Sequence, residues 1–308
     1  MKIGIVDLDT SHPANWVPIE RELGHEIVGV FDSGAVHPPG YAAQFAAEHD
    51  IGQVFRSIDE MVERVDCAIL HGCDWDMHVT RARPFVDAGK AVFVDKPIAG
   101  KWRDLLQLRT WAAGGARIAG GSSLRFCAET RDCLSKPVAE RGTPHTVFCG
   151  CAVDEFNYGI HAYSMLAGLI GTGARSARHL GPGPQRRVQI RYADGRCGIV
   201  LVGQSAAWLP FYASVVTERL VTQYVADSAK LYRALLEATL PYLAGETDTP
   251  PLLPEEWIEP ELCALAAQKS WQSSDREVSL SELSDADVYD GRAFAESYRK
   301  ARYPDGWP

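Results

Sequence analysis

The sequence predicts an α/β chain: a doubly wound parallel sheet over residues 1–121, then an α+β domain over 122–308. Three observations carry this. The first 120 residues alternate short apolar strands with stretches whose apolar residues recur at helical spacing. Those strands are unbroken Val/Ile/Leu runs, as expected of a sheet buried on both faces. Beyond residue 122 longer β-rich arms take over, with few helices between them, and 308 residues suit two domains.

In chain order, KIGIVDL (2–8), HEIVGVFD (25–32), DCAILHG (66–72) and AVFVDKP (91–97) read as strands. Gln53 and Val54 enter a further short strand, and RIAGGSSLRF (117–126) adds another. Helical spacing falls in WVPIERELG (16–24), YAAQFAAEHD (41–50), SIDEMVERV (57–65) and MHVTRARPFVDAG (77–89). Repetition of this kind implies right-handed crossovers. In the second half, TVFCGCAVD (146–154), RRVQIRYADGRCGIVLVG (186–203) and FYASVVTERLVTQYVA (211–226) read as long strands. Ala193-Asp194-Gly195 marks a hairpin within the second of them. YGIHAYSMLAGLIG (158–171) and DSAKLYRALLEATLPYLAG (227–245) read as helices, and the proline-rich loop GETDTPPLLP leads to another at 260–273.

Composition narrows the function classes. Net charge is −9 with scattered arginines, which argues against a nucleic-acid face. No run approaches the ~18 apolar residues of a membrane span. The opening MKIGIVDLD resembles neither a signal nor a transit peptide, so a cytoplasmic address is expected. The eight cysteines sit in apolar runs and read as small buried hydrophobes.

Two motifs then stand out: GKAVFVDKP (89–97) and, far downstream, Gly159-Ile160-His161. Their order, after the strand–helix repeats, resembles the Gfo/Idh/MocA oxidoreductase family over nearly the whole chain. LDTSH (8–12) with SSLRF (122–126) resembles a divergent branch of it. The resemblance implies a Rossmann domain holding a nicotinamide cofactor, and a second domain with an open-faced mixed sheet. It also implies a small sugar- or cyclitol-like substrate, a homodimer or homotetramer, and a late helix at 266–280. By the same resemblance the family lysine maps to Lys96, and its Asp-x-x-x-His pair to Asn157 and His161.

Lys96 at a strand mouth suits donation to a substrate hydroxyl or carbonyl. His161, on the first turn of an apolar helix, suits proton transfer as hydride moves, with Asn157 holding the ring by a hydrogen bond. Asn157 cannot stabilise an imidazolium by charge. Tyr158 and Tyr163 lie nearby as donors or packing aromatics. Trp75 and Arg125 are candidate substrate contacts, one by stacking and one as a bidentate clamp; Trp102 and Trp208 are further aromatics for the cleft.

The difficulty lies at the phosphate turn. The three glycines of G-x-G-x-x-G fall on Asp7, Asp9 and His12. Side chains there obstruct close approach of a diphosphate. A like-charge pair ~4 Å apart costs about 1 kcal/mol in water and about 4 near a protein surface. Thr10 and Ser11 still offer hydroxyls, and an N-cap there followed by Pro13 leaves an anion-friendly helix start. Asp32, at the end of the second strand, suits an adenosine ribose and favours NAD over NADP. Asp9, Thr10, Ser11, His12, Asp32, His71 and Lys96 are thus the expected cofactor contacts. Asp7, Asp9, His12, His71, Asp74, Asp76 and His78 also fall near the switch point, where oxygen and imidazole ligands suit a divalent metal; spacing alone fixes no geometry, and no metal is assigned.

The leading expectation is an NAD-dependent oxidoreductase acting on a small polyhydroxylated or imine substrate. Asp7, Asp9 and His12 keep a rival open, a non-redox lyase, isomerase or cyclase using Lys96 and His161 for proton transfer. A ligand-binding regulator is the third reading.

Overall fold

The computed structural model describes residues 1–307. Their contacts divide into two compact units, one of 1–121 with 236–254 and 290–308, the other of 122–235 with 255–289. The expected 122–308 domain therefore does not run unbroken, because two of its stretches pack within the first unit.

In the first unit the elements are β1 (Lys2–Val6), α1 (His12–Glu22), β2 (Glu26–Phe31), α2 (Tyr41–Glu48), α3 (Ile58–Val62), β3 (Cys67–Leu70), α4 (His78–Asp87), β4 (Ala91–Asp95), α5 (Trp102–Ala113) and β5 (Ile118–Gly121). The five strands pair in parallel in the order β2-β1-β3-β4-β5. The short strand expected at Gln53–Val54 shrinks to a single bridge, Val30 to Val54, on the outer side of β2. Every residue of β3, β4 and β5 is buried, which is why these strands carry no apolar–polar alternation. The order reverses between β1 and β3, and ligands of such sheets bind at the carboxyl edge beside that point.

The second unit starts with α6 (Ala128–Ser135), α7 (Val138–Arg141), β6 (Pro144–Gly150) and α8 (Ile160–Ile170). Then come β7 (Ala174–His179), β8 (Arg186–Tyr192), β9 (Cys197–Val202), β10 (Tyr212–Thr217) and β11 (Val221–Val225). The chain continues through α9 (Leu231–Leu243), α10 (Pro254–Gln272), β12 (Val278–Ser279) and α11 (Gly291–Arg302). Its sheet is mixed and seven-stranded, in the order β11-β10-β6-β9-β8-β7-β12. One face lies under α8: a Cβ at Gly198 would fall 2.6 Å from a Leu166 methyl, and Cys149 Sγ donates to Ala162 O. The opposite face keeps Phe148, Val221 and Val225 exposed, as an open-faced sheet should. The stretch 211–226 is a hairpin rather than one long strand. The late helix stops at Gln272 instead of reaching 280, because Ser274 and Asp275 turn the chain through left-handed φ of 55° and 61°. All eight cysteines are free.

One core residue breaks the apolar rule. Glu20 of α1 is fully buried, and among the described residues neither carboxyl oxygen has a hydrogen-bond partner. Burial raises its pKa to about 8. Between the ordinary carboxylate range and pH 8 the folded chain holds this proton and the unfolded chain does not, so stability falls as pH rises across that window. Glu20→Gln is expected to flatten the decline, read as urea midpoints at pH 5 and pH 8. An unchanged difference between the two would refute the assignment.

Candidate active site

The carboxyl edge of the parallel sheet assembles the first group of candidates. Immediately after β1, Asp7 takes φ +65°, the left-handed conformation that the first fingerprint glycine would supply. Its carboxylate is fully buried and ion-paired with Arg81 of α4. Asp7 Oδ1 also accepts from Ser33 N–H at 3.0 Å, and Arg81 Nη2 donates to Ser33 Oγ at 2.9 Å. Gly72 makes room: a Cβ there would lie 2.7 Å from Arg81 Nη1 and 2.9 Å from Asp7 Oδ2.

Asp9 is equally buried. Its Oδ2 accepts from Cys73 N–H at 2.8 Å, while Oδ1 meets no partner among the described residues. Burial, then the Asp7 charge, raises its pKa to about 7. Asp32 accepts from Leu8 N–H at 3.4 Å and is raised by the same two causes. The expected clash is thereby corrected. Both turn carboxylates point into the fold, one paired with a guanidinium and the other half-protonated near neutrality.

The start of α1 also departs from expectation. Ser11 occupies the N-cap but makes no side-chain cap bond, and Thr10 Oγ1 accepts from His12 N–H at 3.2 Å. His12 stacks on Trp16, with centroids 5.4 Å apart and planes 13° apart. Its Nδ1 lies 2.5 Å from Asp95 Oδ2, and His71 Nδ1 lies 2.8 Å from the same oxygen. Asp95 Oδ1 accepts from Lys96 N–H at 2.7 Å. Burial pushes the Asp95 pKa upward, but the two imidazoles outweigh it and hold the carboxyl well below the usual range. Burial lowers His71, which is therefore neutral at pH 7 despite Asp95. Lys96 itself is half-buried and joined to Pro97 by a cis peptide bond.

Of the seven residues expected to converge near the switch point, His12 and His71 share one acceptor, Asp95 Oδ2. Asp74 Oδ1 accepts from Asp76 N–H at 3.2 Å, and Asp76 pairs with Lys101 at 2.8 Å. His78 is held between Ile98 O (3.1 Å) and Gly72 O (2.8 Å). Sequence reasoning missed Arg81, Gly72 and Asp95 as partners. The Asp of Asp-Lys-Pro was the one available signal.

The second group lies in the other unit. His161 is 6% exposed, and its Nδ1 lies 2.7 Å from Ser122 Oγ, which also accepts from Leu124 N–H at 3.1 Å. Ser122 thus holds the ring at Nδ1, a contact that sequence reasoning missed; Asn157, the residue expected to hold the ring, is half-buried four positions before His161. Tyr158 stacks on Phe211 (5.5 Å, 14°) and stands edge-on to His161 (5.5 Å, 79°). Tyr163 is fully buried in packing. Arg125 Nη1 donates to Glu256 O at 2.8 Å, so this arm of the expected clamp ties two segments of its own unit. Trp75 is 2% exposed and packs on Phe294, with centroids 4.9 Å apart, so its ring serves the core rather than a cleft. Half-buried Trp102 opens α5, and Trp208 is exposed.

Residues 2–118 match the family model described as an oxidoreductase family with an NAD-binding Rossmann fold. No curated protein matches the chain. Among solved structures, a putative myo-inositol dehydrogenase from Sinorhizobium meliloti 1021 is similar at TM-score 0.77 and 14% identity, covering 91% of this chain and 99% of its own. The scyllo-inositol dehydrogenase of Lactobacillus casei, solved with NAD(H) and scyllo-inositol, is similar at 0.76 and 14%, covering 92% and 99%. GenD2 of gentamicin A biosynthesis, solved with NAD, gives 0.74 and 14%, covering 91% and 96%. At such identities these likenesses speak to the fold.

The buried Asp7–Arg81 pair yields a stability prediction. Arg81→Leu strands a buried carboxylate and is expected to cost about 3–5 kcal/mol. The double variant Asp7→Asn/Arg81→Leu should recover most of that in urea denaturation. Equal losses in the single and double variants would show that the charge is not the cause.

Proposed function

We propose that this chain, whose residues 2–118 match the oxidoreductase family model, belongs to the Gfo/Idh/MocA family and is an NAD-dependent dehydrogenase of a small polyhydroxylated, sugar- or cyclitol-like substrate. The observation that carries the reading is the turn after β1. Asp7 adopts the glycine-like φ while both carboxylates turn inward, so the start of α1 faces a diphosphate without the repulsion its sequence suggests. The non-redox rival rested on outward carboxylates and loses its motive.

The residues present fit the dinucleotide. The first turn of α1, uncapped by the Ser11 side chain, would hold the diphosphate together with the Thr10 and Ser11 hydroxyls. Asp32 would accept from the adenosine ribose, and His12 and His71 would flank the same edge. When bound, NAD supplies the hydride acceptor. By the family resemblance, Lys96 is the residue to orient a substrate oxygen and His161 the residue to move a proton. Ser122 shapes that role. A hydroxyl can give a proton to Nδ1 or take one from it, so the ring keeps both tautomers and serves as base or acid at Nε2. An aspartate there would fix one tautomer and favour the imidazolium.

Substrate class is supported by the inositol dehydrogenases among the structural neighbours and by the Tyr158–Phe211 stack beside His161. A cytoplasmic homodimer or homotetramer joined through the open sheet face belongs to the same reading, supported by exposed Phe148, Val221 and Val225.

The test is a fluorescence titration of purified protein with NADH and NADPH. NADH is expected to bind, with NADPH weaker by about tenfold or more because Asp32 repels a 2′-phosphate. His161→Ala should then lower kcat by about 10²–10⁴ while leaving NADH affinity nearly unchanged. No binding of either nucleotide at millimolar concentration would overturn the proposal.

A further inference from the structure

We infer that His12, His71 and Asp95 form a binding site for one divalent transition-metal ion of the Zn²⁺/Co²⁺ class. One ring nitrogen of each histidine and a carboxylate oxygen of Asp95 all lie within 4.8 Å of one another, and both Nδ1 atoms face Asp95 Oδ2. Two imidazoles and one carboxylate are a ligand set that suits such ions. Each ligand comes from a different element at the carboxyl edge of the parallel sheet: the first residue of α1, the residue after β3 and the last residue of β4.

The set is held in place before any ion arrives. Trp16 stacks on His12 and meets His71 edge-to-face, with centroids 4.8 Å apart and planes 78° apart. Lys96 N–H engages Oδ1 of Asp95 and leaves Oδ2 facing both imidazoles. Outer contacts of this kind orient metal ligands.

Two N–H···O bonds to Asp95 also account for the short distances, but they leave a proton problem at His71. If Nδ1 carries the proton, Nε2 is a bare acceptor on a side chain with no exposed surface, and it finds no partner among the described residues. A buried unsatisfied acceptor costs about 1–3 kcal/mol. An ion on Nδ1 would move the proton to Nε2, so the ring would no longer present a bare buried acceptor. The His12 side chain is 12% exposed, which gives the ion an entry side and leaves positions for water or a substrate oxygen. Asp7 is paired with Arg81 and Asp76 with Lys101, and among the described residues the cluster that converges on one point is His12, His71 and Asp95.

The experiment uses the full chain, stripped with a chelator and free of dinucleotide, titrated with Co²⁺ and then Zn²⁺. The expected result is one Co²⁺ per chain with a visible d–d band, displaced by one equivalent of Zn²⁺ and lost in His71→Ala and Asp95→Asn. His12→Gln, at the exposed edge, covers the case in which the buried variants fail to fold; it should weaken binding and shift the band. The inference is overturned by no stoichiometric uptake, by a thiolate charge-transfer band that places the ion on cysteine, or by an unaltered spectrum in His12→Gln. With no nucleotide or substrate in the cell, the outcome is independent of the redox proposal.

Discussion

The buried pair of Asp7 and Arg81 is the constraint on which the nucleotide edge of the sheet depends. A carboxylate with no solvent exposure, on a residue at φ +65°, is sustained only by a full set of partners. Its surroundings come from three places: Arg81 on α4, Ser33 after β2, and the side-chain-free space at Gly72 after β3. The pair therefore stitches together the neighbouring strand ends at which the sheet order reverses. A glycine at position 7 would leave the guanidinium of Arg81 without its counterion. Once the arginine and the left-handed aspartate are both present, each requires the other.

Much of the fold was legible because burial leaves a mark on composition. Parallel strands enclosed on both faces read as unbroken apolar runs, and β1 to β4 fall within the predicted stretches. Where the mark is weak the reading drifted. The Gln53–Val54 strand survives as one bridge, and the 211–226 run folds back at Thr217–Leu220, a turn in which one side chain, Thr217 Oγ1, accepts from both Arg219 and Leu220 N–H. Helix α11 is amphipathic, yet its partner is Trp75, more than two hundred residues earlier, so no local pattern announced its place.

The site was legible in its residue types and not in their directions. Asp7 and Asp9 were correctly singled out as anomalies, but whether a carboxylate faces outward depends on Arg81, which lies in a helix that reads as ordinary. Lys96 drew attention through Asp-Lys-Pro, while the aspartate beside it, the residue that gathers two histidines, did not. Ser122 reads in the sequence only as part of the strand run RIAGGSSLRF. In each case the missing information is a pairing across tens of residues, set by the order of strands rather than by spacing along the chain.

The two histidine sites divide the charge in a way that fixes what each can do. His12 and His71 share a carboxylate held well below its ordinary range, a buried negative charge that attracts cations and holds imidazole rings in register. His161 has a serine at Nδ1 and an asparagine where the family resemblance implies an aspartate. A neutral hydroxyl orients the ring without making the imidazolium cheap, so a proton taken at His161 is held less tightly than it would be beside a carboxylate. Chemistry at His161 therefore has to be matched to a reaction in which the proton passes on readily, as it does when a hydroxyl is oxidised and its proton leaves to solvent.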